Sequence, residues 1–440
     1  MFYYFCFMKN VFTQHLIHPE AFPHKILSYI SEFNPCVYLD SHNHIFHTQQ
    51  FGTYDLLAAI GKTSEYKGSG ASLLKTIRDV VSQNHRWLFG YLAYDIKNQL
   101  ENLHSKNFDG LEFPELYFFQ PRIIFVLRKS KLEIQSDVES VESLKGIYRT
   151  VEKSSTRKTA DEHRTAIMHR MPLEYYKRSV KEILHHIGRG DIYEMNFCQE
   201  FYAENVKIEP YSTYLRLKSI SPTPFSAYLS FDHKYLISAS PERFLKKTGA
   251  AIISQPMKGT IERGDNDTDD NLLRQRLFAD PKERAENIMI TDLVRNDLSK
   301  TALKGSVRVE ELCGIYTYKL WHQMISTIVS EVSNRCNPFD IIINAFPMGS
   351  MTGAPKIKAM QLIEELELTR RGLFSGALGY FSPEGDFDFN VVIRSILFNA
   401  KNKYLSFQTG GAITALSNPE NEYRECLLKA KGIMKVLNAN

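Results

Sequence analysis

Three apolar runs, Ser375 to Phe381, Phe387 to Phe398 and Tyr404 to Thr409, follow one another with short breaks and lead into a helical pattern from about Glu420 to Leu437. Strands this close in sequence pair as hairpins, and hairpins build antiparallel sheets. Aromatic strand-like runs recur upstream, at Trp87 to Tyr94, Leu116 to Phe119 and Ile123 to Leu127. The second half alternates further strands (192–202, 236–240, 252–255, 307–311, 323–332) with helices at about 283–298, 338–345 and 355–367. A helix over about 175–187, stopped by Gly188 and Gly190, precedes them. Strand clusters followed by helices predict an α+β fold with antiparallel sheets rather than a doubly wound parallel sheet. The pattern by itself accommodates several topologies.

Composition narrows the function classes. At 43% hydrophobic and 24% charged, the 440 residues can bury a sizeable core, which excludes wholesale disorder. Length alone allows two or three domains, or one large unit. No run approaches the roughly 18–20 apolar residues of a membrane helix. The 54 basic and 50 acidic residues leave a formal charge of +4, which is no nucleic-acid footprint. Six cysteines form no C-x-x-C pair, as expected of reduced thiols in a cytoplasmic protein. The apolar start, Met1 to Phe7, lacks the basic flank of a signal peptide; Met8 reads as the more natural start, and the first seven residues as a frayed tail or upstream-start artefact. Residues 151–172, rich in Lys, Arg, Ser, Thr and His, read as a connector between a β-rich N-terminal region (1–150) and a catalytic domain (173–440).

Several residues can carry chemistry. Glu283-x-x-Glu286 and Glu422-x-x-Glu425 each place two carboxylates on one helix face. Two such helices facing one another make an oxygen-rich cage for Mg²⁺, although each pair alone also suits a solvated face balanced by Lys282 and Arg284. Lys258, in Pro256-Met-Lys-Gly-Thr260 at a strand end, is either a snorkelling surface lysine or an amine whose pKa desolvation lowers until it becomes nucleophilic. Gly349-Ser-Met-Thr-Gly353-Ala-Pro-Lys356 leads into a helix, and Gly410-Gly-Ala412 closes a strand. Their backbone N–H groups suit an anion, making Thr352, Gly353, Gly411 and Ala412 candidate substrate contacts, or the two segments are ordinary turns. No P-loop pattern is present, which disfavours nucleotide binding. Arg394, inside an apolar strand, needs an anionic partner, either a structural carboxylate or a substrate. Lys429 shares the helical face of Glu425 and poses the same choice. His322 reads as a core hydrogen-bonding residue or as a catalytic, ligand-orienting one.

Taken in order, these segments resemble the chorismate-utilising enzymes, which include anthranilate, aminodeoxychorismate, isochorismate and salicylate synthases. The matching pieces are Gly190-Asp-Ile-Tyr193, Ser240-Pro-Glu-Arg-Phe244, Pro256 to Thr260, Glu283 to Glu286 with Arg295-Asn-Asp297, and Gly353 to Lys356. They continue through Arg370-Arg-Gly372, Gly376 to Tyr380, Ile393-Arg394 and Glu422 to Glu425, so the ordered set covers 190 to about 435. The resemblance implies a chorismate-binding fold with a sandwich-like core of antiparallel sheets. It further implies Mg²⁺ held by Glu286 and Glu425 directly and by Glu283 and Glu422 through water, with substrate carboxylates at Arg394 and Lys429. Lys258 stands where aminodeoxychorismate synthases carry Lys and anthranilate synthases usually carry Ala. The implied reaction is attack of Lys258 on C2 of chorismate, with Glu242 as general acid for the C4 hydroxyl, then attack of ammonia at C4. The product is 4-amino-4-deoxychorismate, the precursor of p-aminobenzoate and folate.

Four positions depart from the family pattern. Glu194 stands where the aminating branches usually have Gln and the water-using branches a lysine base; Ala412 replaces a glycine, Phe374 a tyrosine and Leu416 an aspartate. No cysteine lies in a G-x-C-x-G elbow, so a separate glutamine amidotransferase (glutaminase) subunit is the implied ammonia source. No lyase-sized segment follows, so elimination of pyruvate is expected to need another enzyme. The alternatives are anthranilate or isochorismate synthesis on the same fold, or a non-catalytic chorismate-binding subunit.

Overall fold

The computed structural model describes residues 10–42, 52, 54–83, 85–155 and 165–438. The expectation for residues 1–7 and much of the proposed connector therefore lie outside the described residues. Two sheets, of twelve and ten strands, account for the named strands, and every pairing between them is antiparallel. No helix among the described residues is long and apolar enough to cross a membrane.

The apolar runs become strands because their residues are buried on both faces. In Leu56–Ile60, Leu57 and Ala59 join a core shared by the two sheets, with Phe118, Phe244 and Phe389. Leu56, Ala58 and Ile60 join a second core, with Tyr176, Phe197 and Ile433, between the twelve-stranded sheet and its covering helices. A period of two distributes such a run over both cores, so it shows no polar alternation in the sequence. The helices Phe22–Ile30, Leu173–Arg189 and Pro419–Val436 contribute to the outer core. The second of these runs past Gly188 and ends at Gly190, whose φ of 83° suits glycine as a C-cap.

The N-terminal strands are woven into both sheets. Cys36–Asp40 pairs with Phe225–Phe231 in one, and Leu88–Leu92 pairs with Ala377–Phe381 in the other. Described strands of the N-terminal region thus belong to both sheets. At the expected connector, the helix Val141–Lys153 carries the chain to Ser155, and Met168–His169 pairs with Glu194–Ala203.

One strand expected to be continuous is broken. Phe387–Asn390 belongs to the ten-stranded sheet and Ser395–Asn399 to the twelve-stranded one. Residues 391–394 cross between the layers, and Arg394 takes φ of 50° in doing so. The crossing is fastened to the chain beside it: Val391 N–H donates to the Glu242 carbonyl at 3.0 Å, Ala239 N–H to the Arg394 carbonyl at 3.2 Å, and Ser240 Oγ to the Val391 carbonyl at 2.6 Å. An apolar run gives no sign of changing sheets, since both layers bury the same residue types.

Candidate active site

Lys258 stands on a distorted strand end. The pairing of Met257–Glu262 with Trp321–Glu331 shifts register between Met257 and Thr260, and Gly259 there has φ of 87°. Such a left-handed conformation favours glycine. Gln323 Nε2 donates to the Gly259 carbonyl at 2.7 Å and Thr260 Oγ1 donates to Gln323 Oε1 at 2.9 Å. Asn287 Nδ2 reaches the Lys258 carbonyl at 3.4 Å. The braced bulge brings Lys258 Nζ to 2.8 Å from Glu194 Oε1, with the two side chains 10% and 1% exposed.

Glu194 opens the strand Glu194–Ala203 and pairs with Ala354 across the sheet edge. Gly353 is needed for that pairing, since a Cβ there would stand 2.2 Å from the Glu194 carbonyl. The second carboxylate oxygen of Glu194 is buried without a hydrogen-bond partner.

This ion pair reverses one expectation. Burial alone pushes the Lys258 amine down, but Glu194, Glu286 and Glu242 together outweigh it and hold its pKa above the ordinary lysine value. The resting side chain is an ammonium, not the free amine that desolvation alone predicts. Glu242, just past the strand Lys234–Ser240, accepts from Ser350 Oγ at 2.6 Å. Its burial lifts the carboxyl to about 7 against the opposing pull of Ser350 and Lys258, so a large acid fraction persists at neutral pH.

The acidic pairs lie on two helices, Pro281–Ser299 and Pro419–Val436, each capped by a side chain (Asp280 and Asn418) and opened by proline. The helices bring the pairs toward each other. Lys282 Nζ lies 3.7 Å from Glu286 and 4.0 Å from Glu422, bridging them rather than serving as a surface counter-charge. A Cβ on Gly411 would stand 3.4 Å from Glu422 Oε2 and 3.6 Å from Glu425 Oε1, and one on Gly259 would stand 3.1 Å from Glu283 Oε2. Burial raises Glu283 and Glu422, and it lifts Glu286 to about 7 with help from Glu194 and Glu283. Lys429, 2.8 Å from Glu425, holds that carboxyl below its usual range.

Among the described residues no three His, Cys, Asp or Glu side chains gather closely enough to hold an ion as they stand. The donor set nonetheless fits a hard divalent cation. It consists of carboxylates alone, Glu286 Oε1 is buried without a hydrogen-bond partner, and an ammonium already lies between the two pairs.

Arg394 reaches the site from the crossing segment. Its guanidinium lies 3.7 Å over the Trp321 ring, and burial brings its pKa down to about 10. Gly411 and Ala412 lie in the strand Tyr404–Ile413, opposite Phe197 and Asn196, and Lys429 Nζ donates to the Gly410 carbonyl at 2.9 Å.

Two candidates do not join the group through their side chains. Thr352 Oγ1 donates back to the Met348 carbonyl at 3.1 Å, closing its own turn, while its carbonyl accepts from Asn196 N–H at 2.8 Å. The following helix begins at Lys356 with Pro355 as its N-cap, and Lys356 is tied to Asp297 and to the Ala345 and Pro347 carbonyls. His322 has Nε2 at 2.9 Å from Asp270 Oδ1 and Nδ1 at 2.9 Å from Thr317 Oγ1. Asp270 is itself bound by Arg263. His322 therefore fills the core hydrogen-bonding role, and its neighbour Gln323, on the opposite face of the strand, turns toward the lysine bulge. Sequence reading missed Gln323 and Trp321, which carry no motif, and Ser350, whose role inside the Gly349–Lys356 segment is not visible there, and misplaced Lys282. Of the departures, Phe374 is buried and Leu416 is 80% exposed.

Residues 34–435 match the family model of the chorismate binding enzymes. A probable aminodeoxychorismate synthase from rice is 42% identical over 60% of this chain and 29% of its own length, so the chain spans under a third of that relative. Component 1 of aminodeoxychorismate synthase from Bacillus subtilis is 32% identical over 79% of this chain and 76% of its own. Among solved structures, anthranilate synthase component I from Streptococcus pneumoniae superposes with a TM-score of 0.77 at 25% identity, covering 86% of this chain and 91% of that one. The chain belongs to the chorismate binding enzyme family.

Proposed function

We propose that this chain aminates chorismate with ammonia to give 4-amino-4-deoxychorismate, the reaction of aminodeoxychorismate synthase component I. The observation that carries this reading is Lys258, a buried lysine held 2.8 Å from Glu194 and electrostatically coupled to Glu242. Chorismate is a dianion, and Arg394 and Lys429, with the N–H groups at Gly411 and Ala412, supply cations and donors for its carboxylates. Glu286 and Glu425, with Glu283 and Glu422 through water, would hold Mg²⁺, which when bound supplies positive charge to a substrate carboxylate.

The resting ammonium needs an acceptor before it can attack, and Glu194 is the carboxylate in contact with it. As Glu194 takes the proton, the amine bonds to C2, the ring double bonds shift and the C4–O bond breaks. Glu242 gives its proton to the departing hydroxyl, which leaves as water. Ammonia then bonds to C4, the double bonds shift back and the C2–N bond to Lys258 breaks. The extra proton on the new amine returns to Glu242, and Glu194 returns its proton to Lys258. Chorismate and ammonia thus become aminodeoxychorismate and water, with each side chain restored.

In this reading a glutamine amidotransferase partner supplies ammonia in the cytoplasm. The likeness to anthranilate synthase component I favours a second reading, anthranilate formation on the same fold. Incubating the protein with chorismate, Mg²⁺ and ammonium at mildly alkaline pH, with chromatography and mass detection, separates the two. Aminodeoxychorismate is the expected product; anthranilate or isochorismate overturns the assignment.

A further inference from the structure

Arg394 is a half-buried cation that, among the described residues, has an aromatic platform in place of a carboxylate. Tyr318 is a titratable neighbour of Arg394, and the guanidinium lies 3.7 Å over Trp321. Trp321 is stacked in turn on Tyr318, with centroids 5.5 Å apart and planes at 28°. The Tyr318 N–H also donates to the Trp321 carbonyl at 2.8 Å. Trp321 lies two residues before Gln323 on the same strand face, so one strand braces both the lysine bulge and the arginine. Arg394's own backbone is in the left-handed region at φ of 50°, where a non-glycine residue is strained and must be held by its surroundings.

We propose that Trp321 is a positioning residue for the substrate carboxylate, acting through Arg394. The indole covers one face of the guanidinium and fixes its plane, which leaves the in-plane N–H groups to grip a carboxylate. A ring quadrupole attracts a desolvated cation, and a carboxylate is recognised by the planar edge of the guanidinium rather than by its face. An aromatic ring of another kind can do this work and an aliphatic side chain cannot. The inference rests on the reading that Arg394 takes a carboxylate of chorismate.

The test is steady-state kinetics with chorismate varied and ammonium saturating. Trp321→Leu should raise KM for chorismate roughly three- to thirtyfold, the span of a desolvated cation–π contact, with kcat within about twofold. Trp321→Phe should restore most of the loss. In an Arg394→Gln background the same Trp321→Leu change should add little, because the group it positions is gone. If Trp321→Leu does not fold, Trp321→Met, unbranched and able to fill the space, is measured in its place. An unchanged KM in the aliphatic variant, or an equal effect with and without Arg394, overturns the proposal while leaving the anion-binding reading intact. Arg394→Gln with unaltered KM removes that underlying reading, and the proposal with it.

Discussion

Two arginines, the buried Arg371 and the half-buried Arg394, show how differently one residue type is treated in two regions of this molecule. Arg371 is saturated by its own chain: Nε and Nη2 donate to the two oxygens of Glu367 at 2.9 and 2.7 Å, and Nη2 also donates to the Asn196 carbonyl at 2.8 Å. Nη1 donates to the Met351 carbonyl, and Tyr94 from the N-terminal region lies against the guanidinium. Among the described residues, Arg394 has an aromatic ring and no carboxylate partner. The same contrast separates Lys356, bound to Asp297 and two carbonyls, from Lys258, whose partner Glu194 keeps one oxygen open. Arg371 and Lys356 are each matched by several partners, as burial of a charge requires if it is not to cost free energy.

The largest effect that sharpens this contrast is at Lys258. Lys258→Ala is expected to lower single-turnover amination about 10⁴-fold or more, since the covalent route disappears. Turnover within tenfold of the parent enzyme would break the role given to the lysine. Next comes Glu242→Gln, expected to cost about 10²- to 10⁴-fold in kcat, the usual range for a general acid. The acid form is the working one, so kcat in the parent enzyme should fall as pH rises through about 7. That limb should be absent from the profile of Glu242→Gln.

The two arginines can be set against each other directly by urea denaturation. Arg371→Met should lower unfolding free energy by roughly 3–5 kcal/mol, because it leaves Glu367 buried and unpaired. Arg394→Met should change it by less than about 1 kcal/mol, since it strands no carboxylate. Equal losses would mean that the contrast between the two regions is not energetic. The smallest effect is expected at His322, where Gln can keep part of the bonding to Asp270 and Thr317. His322→Gln should leave kcat/KM within about threefold while costing on the order of 1–2 kcal/mol of stability. A hundredfold fall in kcat/KM in a stably folded variant would return His322 to the chemistry.

Much of this arrangement is legible along the chain. The helices that carry Glu283, Glu286, Glu422 and Glu425 follow from caps, opening prolines and periodicity, and the strands around Leu88, Leu116 and Ile123 from short aromatic and branched runs. Arg394 was expected within one strand, because residues 391–394 are as apolar as the strands they connect. His322 carries the imidazole, yet the adjacent Gln323 faces the lysine bulge. Period-two alternation makes neighbours opposite, and which neighbour faces inward depends on pairing with Met257–Glu262. Lys282 reads as a surface charge until the second acidic helix is brought beside it.

The sequence by itself determined the element types, the antiparallel habit and the presence of two carboxylate pairs on helix faces, because these depend on contacts a few residues apart. Only the tertiary structure decided that Lys258 rests as an ammonium, that Arg394 crosses between sheets onto Trp321, and that described N-terminal strands join both sheets. Each of these depends on sheet register, on burial, or on charges delivered by distant segments. A pKa in particular is the sum of a group's desolvation and its neighbours' fields, and neither exists until the chain has folded.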